Sequence, residues 1–124
     1  MCKVLIIDDE EAVRCLLTEA FSLSGIDTDA AINGQDGIEK FHQGKFDIVI
    51  TDLSMPGMNG NSVARQIRNS DRPHTPIIGI SGTTWLFEDS QFDLVFEKPM
   101  SIISLVGAVK NLAPADAPAA QYSL

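Results

Sequence analysis

Five polar residues stand directly after, or within two positions of, apolar runs in this sequence. They are Asp8, Asp9, Asp52, Ser81 and Lys98. If the apolar runs are parallel strands, their carboxyl ends share one edge of a sheet, so these side chains should converge there. Three carboxylates packed together repel, and a hard cation such as Mg²⁺ would relieve that repulsion. A hydroxyl and an ammonium beside them could bind a tetrahedral oxyanion. The set therefore favours phosphoryl transfer to a carboxylate.

Each of these residues also has an ordinary structural explanation. Acidic residues favour the first turn of a helix, and Asp52 could form an Asx-type turn. Ser81-Gly82 could be a simple turn, and Lys98-Pro99 could be a solvated lysine before a helix that tolerates proline in its first turn. The five residues have no structural need for one another, however. Their occurrence together favours a functional site.

The apolar pattern alternates between strand-like and helix-like segments. Strands are predicted at residues 3–7, 28–32, 46–51, 76–80 and 93–96, and helices at about 10–23, around 38–41, from 59 or 60 to about 70, and at 101–112. Alternating strands and helices predict an α/β domain, a five-stranded parallel sheet with right-handed crossovers. The weakly apolar segment 28–32 is expected at a sheet edge.

Composition excludes several classes of protein. The chain has 124 residues, and 9 basic against 17 acidic residues give a net charge of −8, which disfavours direct binding to nucleic acid or to anionic membranes. No apolar run approaches the roughly 20 residues of a membrane helix, and the first residues do not resemble a signal peptide. Cys2 and Cys15 lack metal-type spacing. We expect a cytoplasmic domain over residues 1–112, followed by a flexible tail or the start of a linker at 113–124.

Four stretches resemble the receiver domain of two-component response regulators. They are VLIIDDE at 4–10, DIVITDLSMPGMNG at 47–60, IIGISG at 77–82 and EKP at 97–99. The resemblance covers residues 2–112, and the block around Asp52 is highly specific. It implies a doubly wound, flavodoxin-like sheet with strand order 2-1-3-4-5.

The resemblance also implies a role for each matching residue. Asp52 would accept a phosphoryl group from a sensor histidine kinase or a histidine phosphotransfer protein. Asp9 and Asp52 would bind Mg²⁺ together with the backbone carbonyl of Ser54, and Asp8 would act mainly through a bound water. Ser81 and Lys98 would contact phosphoryl oxygens. Supporting positions are Pro56, Gly60, which would let the following helix pack closely, and Pro99, which would follow a cis peptide bond.

Two departures from the family pattern concern the route from Ser81 to Lys98. The two residues are 17 positions apart, which is shorter than usual by about one helical turn or more, so a shortened or irregular fourth helix is expected. Val95 stands where the family usually carries a switch aromatic. Trp85 or Phe87 could replace that aromatic, although filling the core beside a short helix is the simpler role.

Three functions remain in competition at this level. The first is a phosphoacceptor domain that assists its own phosphorylation and dephosphorylation without being an enzyme in the usual sense. The second is a degenerate receiver that acts only by protein contact. The third is an aspartyl-nucleophile phosphatase, which is disfavoured because Ser54 stands where such enzymes commonly carry a second acid. The phosphate-binding glycine motifs of nucleotide-binding proteins are absent. The downstream output is not indicated.

Overall fold

A computed structural model describes residues 2–83, 86–87 and 91–112 of the chain. Its centre is a five-stranded sheet in which every adjacent pair of strands is parallel. The strand order is β2-β1-β3-β4-β5, which confirms the predicted topology. The strands are β1 (Lys3–Ile7), β2 (Asp27–Ala31), β3 (Ile48–Asp52), β4 (Ile77–Ser81) and β5 (Leu94–Glu97).

Four helices in the described residues cover the two faces of the sheet. They are α1 (Glu11–Leu23), α2 (Gly34–Gln43), α3 (Gly60–Arg68) and α4 (Ile102–Leu112). Asparagine side chains cap two of them: Asn33 Oδ1 accepts the Asp36 N–H, and Asn59 Oδ1 accepts the Ser62 N–H. Such caps satisfy backbone donors that the first turn leaves free, so they fix where α2 and α3 begin.

The core consists of two apolar layers, one on each face of the sheet. The β1 strand shows how the sequence separates them, because alternate strand residues point to opposite faces. Val4 and Ile6 belong to the layer beneath α1 and α4, whereas Leu5 and Ile7 belong to the layer beneath α2 and α3. All residues of β3 and β4 are buried. This burial on both faces explains why these strands are continuous apolar runs.

The predicted strand boundaries differ from the structure by one or two residues. The edge strand β2 begins and ends one residue earlier than predicted, and Ile32 lies beyond it, exposed. Likewise β5 begins at Leu94 rather than at 93. The Asp93 side chain has a different role, because its Oδ2 accepts the Ile77 N–H at 2.7 Å at the start of β4.

The connection from β4 to β5 contains no α-helix in its described residues, which are 82–83, 86–87 and 91–93. Its Phe87 is buried and packs edge-on against Phe92, with ring centroids 4.6 Å apart. The ring lies directly over Gly79 of β4, where an added Cβ would meet it at 2.7 Å. Phe87 therefore fills sheet surface that a regular crossover helix would cover. Trp85 and the tail at 113–124 lie outside the described residues.

Arg68, at the end of α3, joins the segments that lead into β4 and β5. Its guanidinium donates to the carbonyls of Pro73 and Thr75 before β4, and to the Gln91 carbonyl and the Asp93 carboxylate before β5. One side chain thus binds the amino ends of two neighbouring strands. None of the helices in the described residues is long and apolar enough to span a membrane.

Candidate functional site

Asp52 is the last residue of β3, at the carboxyl edge of the sheet, and its side chain is buried. Its Oδ1 accepts the Leu53 N–H at 2.9 Å, which orients the carboxylate. Its Oδ2 lies 3.7 Å from the Lys98 Nζ. One oxygen is therefore held by the backbone, and the other faces a cation.

Two further acidic side chains lie beside Asp52. One carboxylate oxygen from each of Asp8, Glu10 and Asp52 lies within 4.8 Å of the other two, an arrangement that could hold a metal ion. Asp8 is buried, and its Oδ1 accepts the Glu10 N–H at 2.8 Å. Glu10 is exposed and stands at the N-cap of α1. The structure thus adds Glu10 to the residues predicted from sequence.

Lys98 and Ser81 come together because β4 and β5 are neighbours. The Lys98 N–H donates to the Ser81 carbonyl at 3.0 Å, which extends the pairing of these strands by one step. The Lys98 side chain then lies between two carboxylates, 3.7 Å from Asp52 and 3.9 Å from Glu10. The peptide bond between Lys98 and Pro99 is cis, as the resemblance implied.

The Ser81 hydroxyl is buried and bound to the start of the β4–β5 connection. Its Oγ accepts the Thr83 N–H at 3.1 Å and lies 3.1 Å from the Thr83 Oγ1. A hydroxyl can donate one hydrogen bond while accepting others, so these contacts leave Ser81 able to donate to an anion. The sequence pattern did not predict this contact between Thr83 and Ser81.

Burial dominates the electrostatics of the two central acids. The pKa of Asp8 is raised to about 6, mainly by removal from water and to a smaller extent by the nearby charge of Asp52, while the hydrogen bond from the Glu10 N–H acts in the opposite direction. Burial likewise raises the pKa of Asp52, while the Lys98 ammonium and the Leu53 N–H act in the opposite direction. Both carboxylates are thus destabilised as anions, a condition that a bound divalent cation would relieve.

Gly60 allows the chain to pass close behind Asp52. An added Cβ at Gly60 would lie 2.5 Å from the Asp52 carbonyl oxygen, closer than atoms can approach without displacement. The Gly60 N–H also donates to the Leu53 carbonyl at 2.9 Å. This close approach agrees with the role that the resemblance gave Gly60.

The remaining predicted residues lie around this centre. Asp9 is exposed and its carboxylate is outside the group of three, although its charge helps to raise the pKa of Asp8 and of Asp52. Ser54 and Pro56 lie in the loop between β3 and α3 with exposed side chains. Metal binding by Asp9 and by the Ser54 carbonyl stays a prediction. Sequence reasoning did not include Glu10 in the site. The signal that could have indicated it is its position directly after Asp8 and Asp9.

The sequence model of one family, described as the response regulator receiver domain, matches residues 4–109. The chain belongs to the response regulator receiver family. Response regulator TrrA of Thermotoga maritima, solved in complex with Mg²⁺-BeF, is 32% identical with a TM-score of 0.83, over 90% of this chain and 99% of that one. The chemotaxis protein CheY4 of Vibrio cholerae shares the fold at 23% identity and a TM-score of 0.83, over 90% of this chain and 98% of that one.

Curated relatives include larger signalling proteins. The transcriptional regulatory protein TrcR of Mycobacterium tuberculosis is 30% identical over 115 residues, which are 89% of this receiver chain and 44% of TrcR. The sensor kinase/phosphatase LuxN of Vibrio harveyi is 30% identical over 115 residues, 87% of this chain and 13% of LuxN. The chain thus spans less than half the length of these two relatives. It is a receiver domain of two-component systems, whose members are phosphorylated by histidine kinases.

Proposed function

We propose that this receiver domain accepts a phosphoryl group on Asp52 in a Mg²⁺-dependent reaction and thereby changes its contacts with a partner. The observation that carries the proposal is the surrounding of Asp52. A buried carboxylate lies 3.7 Å from the Lys98 ammonium and shares a 4.8 Å cluster with two other acids. All of these side chains lie at the carboxyl edge of the sheet.

The proposed reaction is a transfer of the phosphoryl group between two nucleophiles. An Asp52 carboxylate oxygen forms a bond to phosphorus while the bond from phosphorus to the donor's imidazole nitrogen breaks, and the imidazole leaves with the electron pair. The product is an acyl phosphate. Hydrolysis forms a bond from a water oxygen to phosphorus, breaks the Asp52 oxygen–phosphorus bond and restores the carboxylate with release of inorganic phosphate.

The residues of the site would assist both steps by binding charge. Lys98 would shift from the Asp52 carboxylate to a phosphoryl oxygen, and Ser81 would donate its hydroxyl hydrogen to another. When bound by Asp8, Asp9 and Asp52, with the Ser54 carbonyl, Mg²⁺ would neutralise negative charge on the phosphoryl oxygens. The donor set fits this ion because carboxylate oxygens are its preferred protein ligands.

The proposal also includes the phosphoryl donor and the cellular location. A sensor histidine kinase or a histidine phosphotransfer protein would supply the phosphoryl group, and the domain would act as a phosphoacceptor rather than as an enzyme with a separate substrate. The net charge of −8 supports protein partners over nucleic acid. A cytoplasmic location, where such kinases present their phosphohistidine, is part of the proposal.

Acetyl phosphate with Mg²⁺, followed by intact-mass spectrometry, tests the proposal. The wild type should gain the mass of one phosphoryl group, and Asp52→Asn should gain none, because an amide of nearly the same shape is a poor nucleophile. Asp27→Asn, which removes an exposed carboxylate from the amino end of β2, is the matched control and should be phosphorylated normally. A wild type that stays unmodified would favour the degenerate receiver instead.

A further inference from the structure

Glu10 occupies a helix N-cap without acting as a cap. It precedes α1 in extended conformation, with φ −91° and ψ 116°, and its side chain makes no capping hydrogen bond. Its carboxylate is directed instead to the phosphorylation site, where it joins the cluster with Asp8 and Asp52. Capping of α1 therefore does not explain the orientation of this side chain.

The contact that Glu10 makes is with the cation of the site. Its Oε1 lies 3.9 Å from the Lys98 Nζ, and the Asp52 Oδ2 lies 3.7 Å from the same atom. Both distances exceed the roughly 2.7–2.9 Å of a tight charge-assisted hydrogen bond, so the ammonium is shared between two carboxylates. An anion that binds the Lys98 ammonium next to Asp52 therefore competes with Glu10 for this cation.

We propose that Glu10 is a positioning residue with opposite effects on the two ions of the phosphorylation site. It strengthens binding of the divalent cation by adding a further negative charge beside those of Asp8 and Asp52. It weakens binding of the phosphoryl-like anion, because it competes for Lys98 and repels negative charge. The inference rests on the proposed function, since it concerns the same site.

The expected size of both effects is moderate. The Glu10 side chain is 61% exposed, so its interactions are weakened by solvent and salt. A unit charge about 5 Å from a divalent ion in a water-like medium changes affinity by roughly tenfold before screening, and less after it. We therefore expect Glu10→Gln to change each affinity by about three- to tenfold.

The experiment measures the two affinities separately on the whole chain by isothermal titration calorimetry. Mg²⁺ is titrated first, and beryllofluoride is then titrated at a Mg²⁺ concentration that saturates each variant. Glu11→Gln is the matched control, because it removes the same charge from the adjacent, exposed residue in the first turn of α1. Circular dichroism verifies that both variants are folded.

Relative to Glu11→Gln, Glu10→Gln should bind Mg²⁺ more weakly and beryllofluoride more tightly. A merely structural role would move both affinities together or neither, so any result other than opposite shifts overturns the inference. Phosphorylation of wild-type Asp52 by acetyl phosphate is scored independently. Its absence would refute the proposed function, whereas equal behaviour of the two variants would refute only the role of Glu10.

Discussion

Replacing Asp8 by Asn should stabilise the metal-free receiver at neutral pH. Asp8 is 3% exposed, and its burial raises the pKa from an ordinary value of 3.8 to about 6. This difference corresponds to about 3 kcal/mol at 25 °C, the cost of keeping the ionised form in the folded protein. An Asn oxygen can still accept the Glu10 N–H, so the substitution removes the charge while keeping the local hydrogen bond.

The sign of the pH dependence follows from proton binding. Between about pH 4 and 6 the folded protein retains a proton on Asp8 that the unfolded chain has lost. The stability contributed by this proton is complete below the unfolded pKa and is lost as the pH rises through the folded pKa. The free energy of unfolding of Asp8→Asn, minus that of the wild type, should therefore rise by as much as about 3 kcal/mol from pH 4 to 7.5.

Urea denaturation in EDTA across this pH range measures the difference. Asp27→Asn, which alters an exposed carboxylate far from the site, should show no comparable change relative to the wild type. Profiles of wild type and Asp8→Asn that stay parallel from pH 4 to 7.5 would refute the conclusion that a buried charge is retained at this position. Added Mg²⁺ should stabilise the wild type more than Asp8→Asn, since the cation binds the ionised carboxylates.

Three further outcomes are expected. The Tm of the wild type should rise with Mg²⁺ concentration, and Asp9→Ala should remove that dependence; equal sensitivity in both would exclude this acid from the metal site. Gly79→Ala should lower the free energy of unfolding by about 1–3 kcal/mol, because the added methyl group clashes with Phe87. Adding Phe87→Leu to this variant should relieve part of the loss. If urea unfolding of the double variant shows that the two losses are additive, the clash is not the cause. Beryllofluoride with Mg²⁺ should change Trp85 fluorescence and hydrogen exchange across 83–92, and unchanged signals at full occupancy would exclude this segment as the switch.

The sequence was most informative where burial is complete. The runs that became β1, β3 and β4 are apolar on both faces, which predicts interior parallel strands, and the polar residues after them lie at the site edge. The position of α3 was predictable for a local reason, because Asn59 caps the helix from its own N-terminus. A cap of this kind depends only on residues that are neighbours in the sequence, so it can be predicted from the sequence.

The sequence was least informative where a side chain is directed by a distant contact. In the sequence, Glu10 is an ordinary acidic residue at the start of a helix. Its orientation toward the site is explained only by its contact with the Lys98 ammonium, 88 positions later in the chain. The sequence indicated that Phe87 could fill part of the core. Its packing against β4, however, is possible only because Gly79 has no side chain. Such pairings depend on the folded arrangement of the chain and leave no periodic pattern.

The Arg68 guanidinium ties together the segments before β4 and β5, and so fixes the amino ends of this strand pair. The opposite ends carry Ser81 and Lys98, which are joined by the hydrogen bond from the Lys98 N–H to the Ser81 carbonyl, so the two strands are attached to each other at both ends. At about 3.3 Å per residue, the four residues of β5 separate these two points of attachment by about 13 Å. Because the backbone is fixed at both of these points, a shift of the Lys98 ammonium from one oxygen to another requires rotation of its long side chain and no movement of β5.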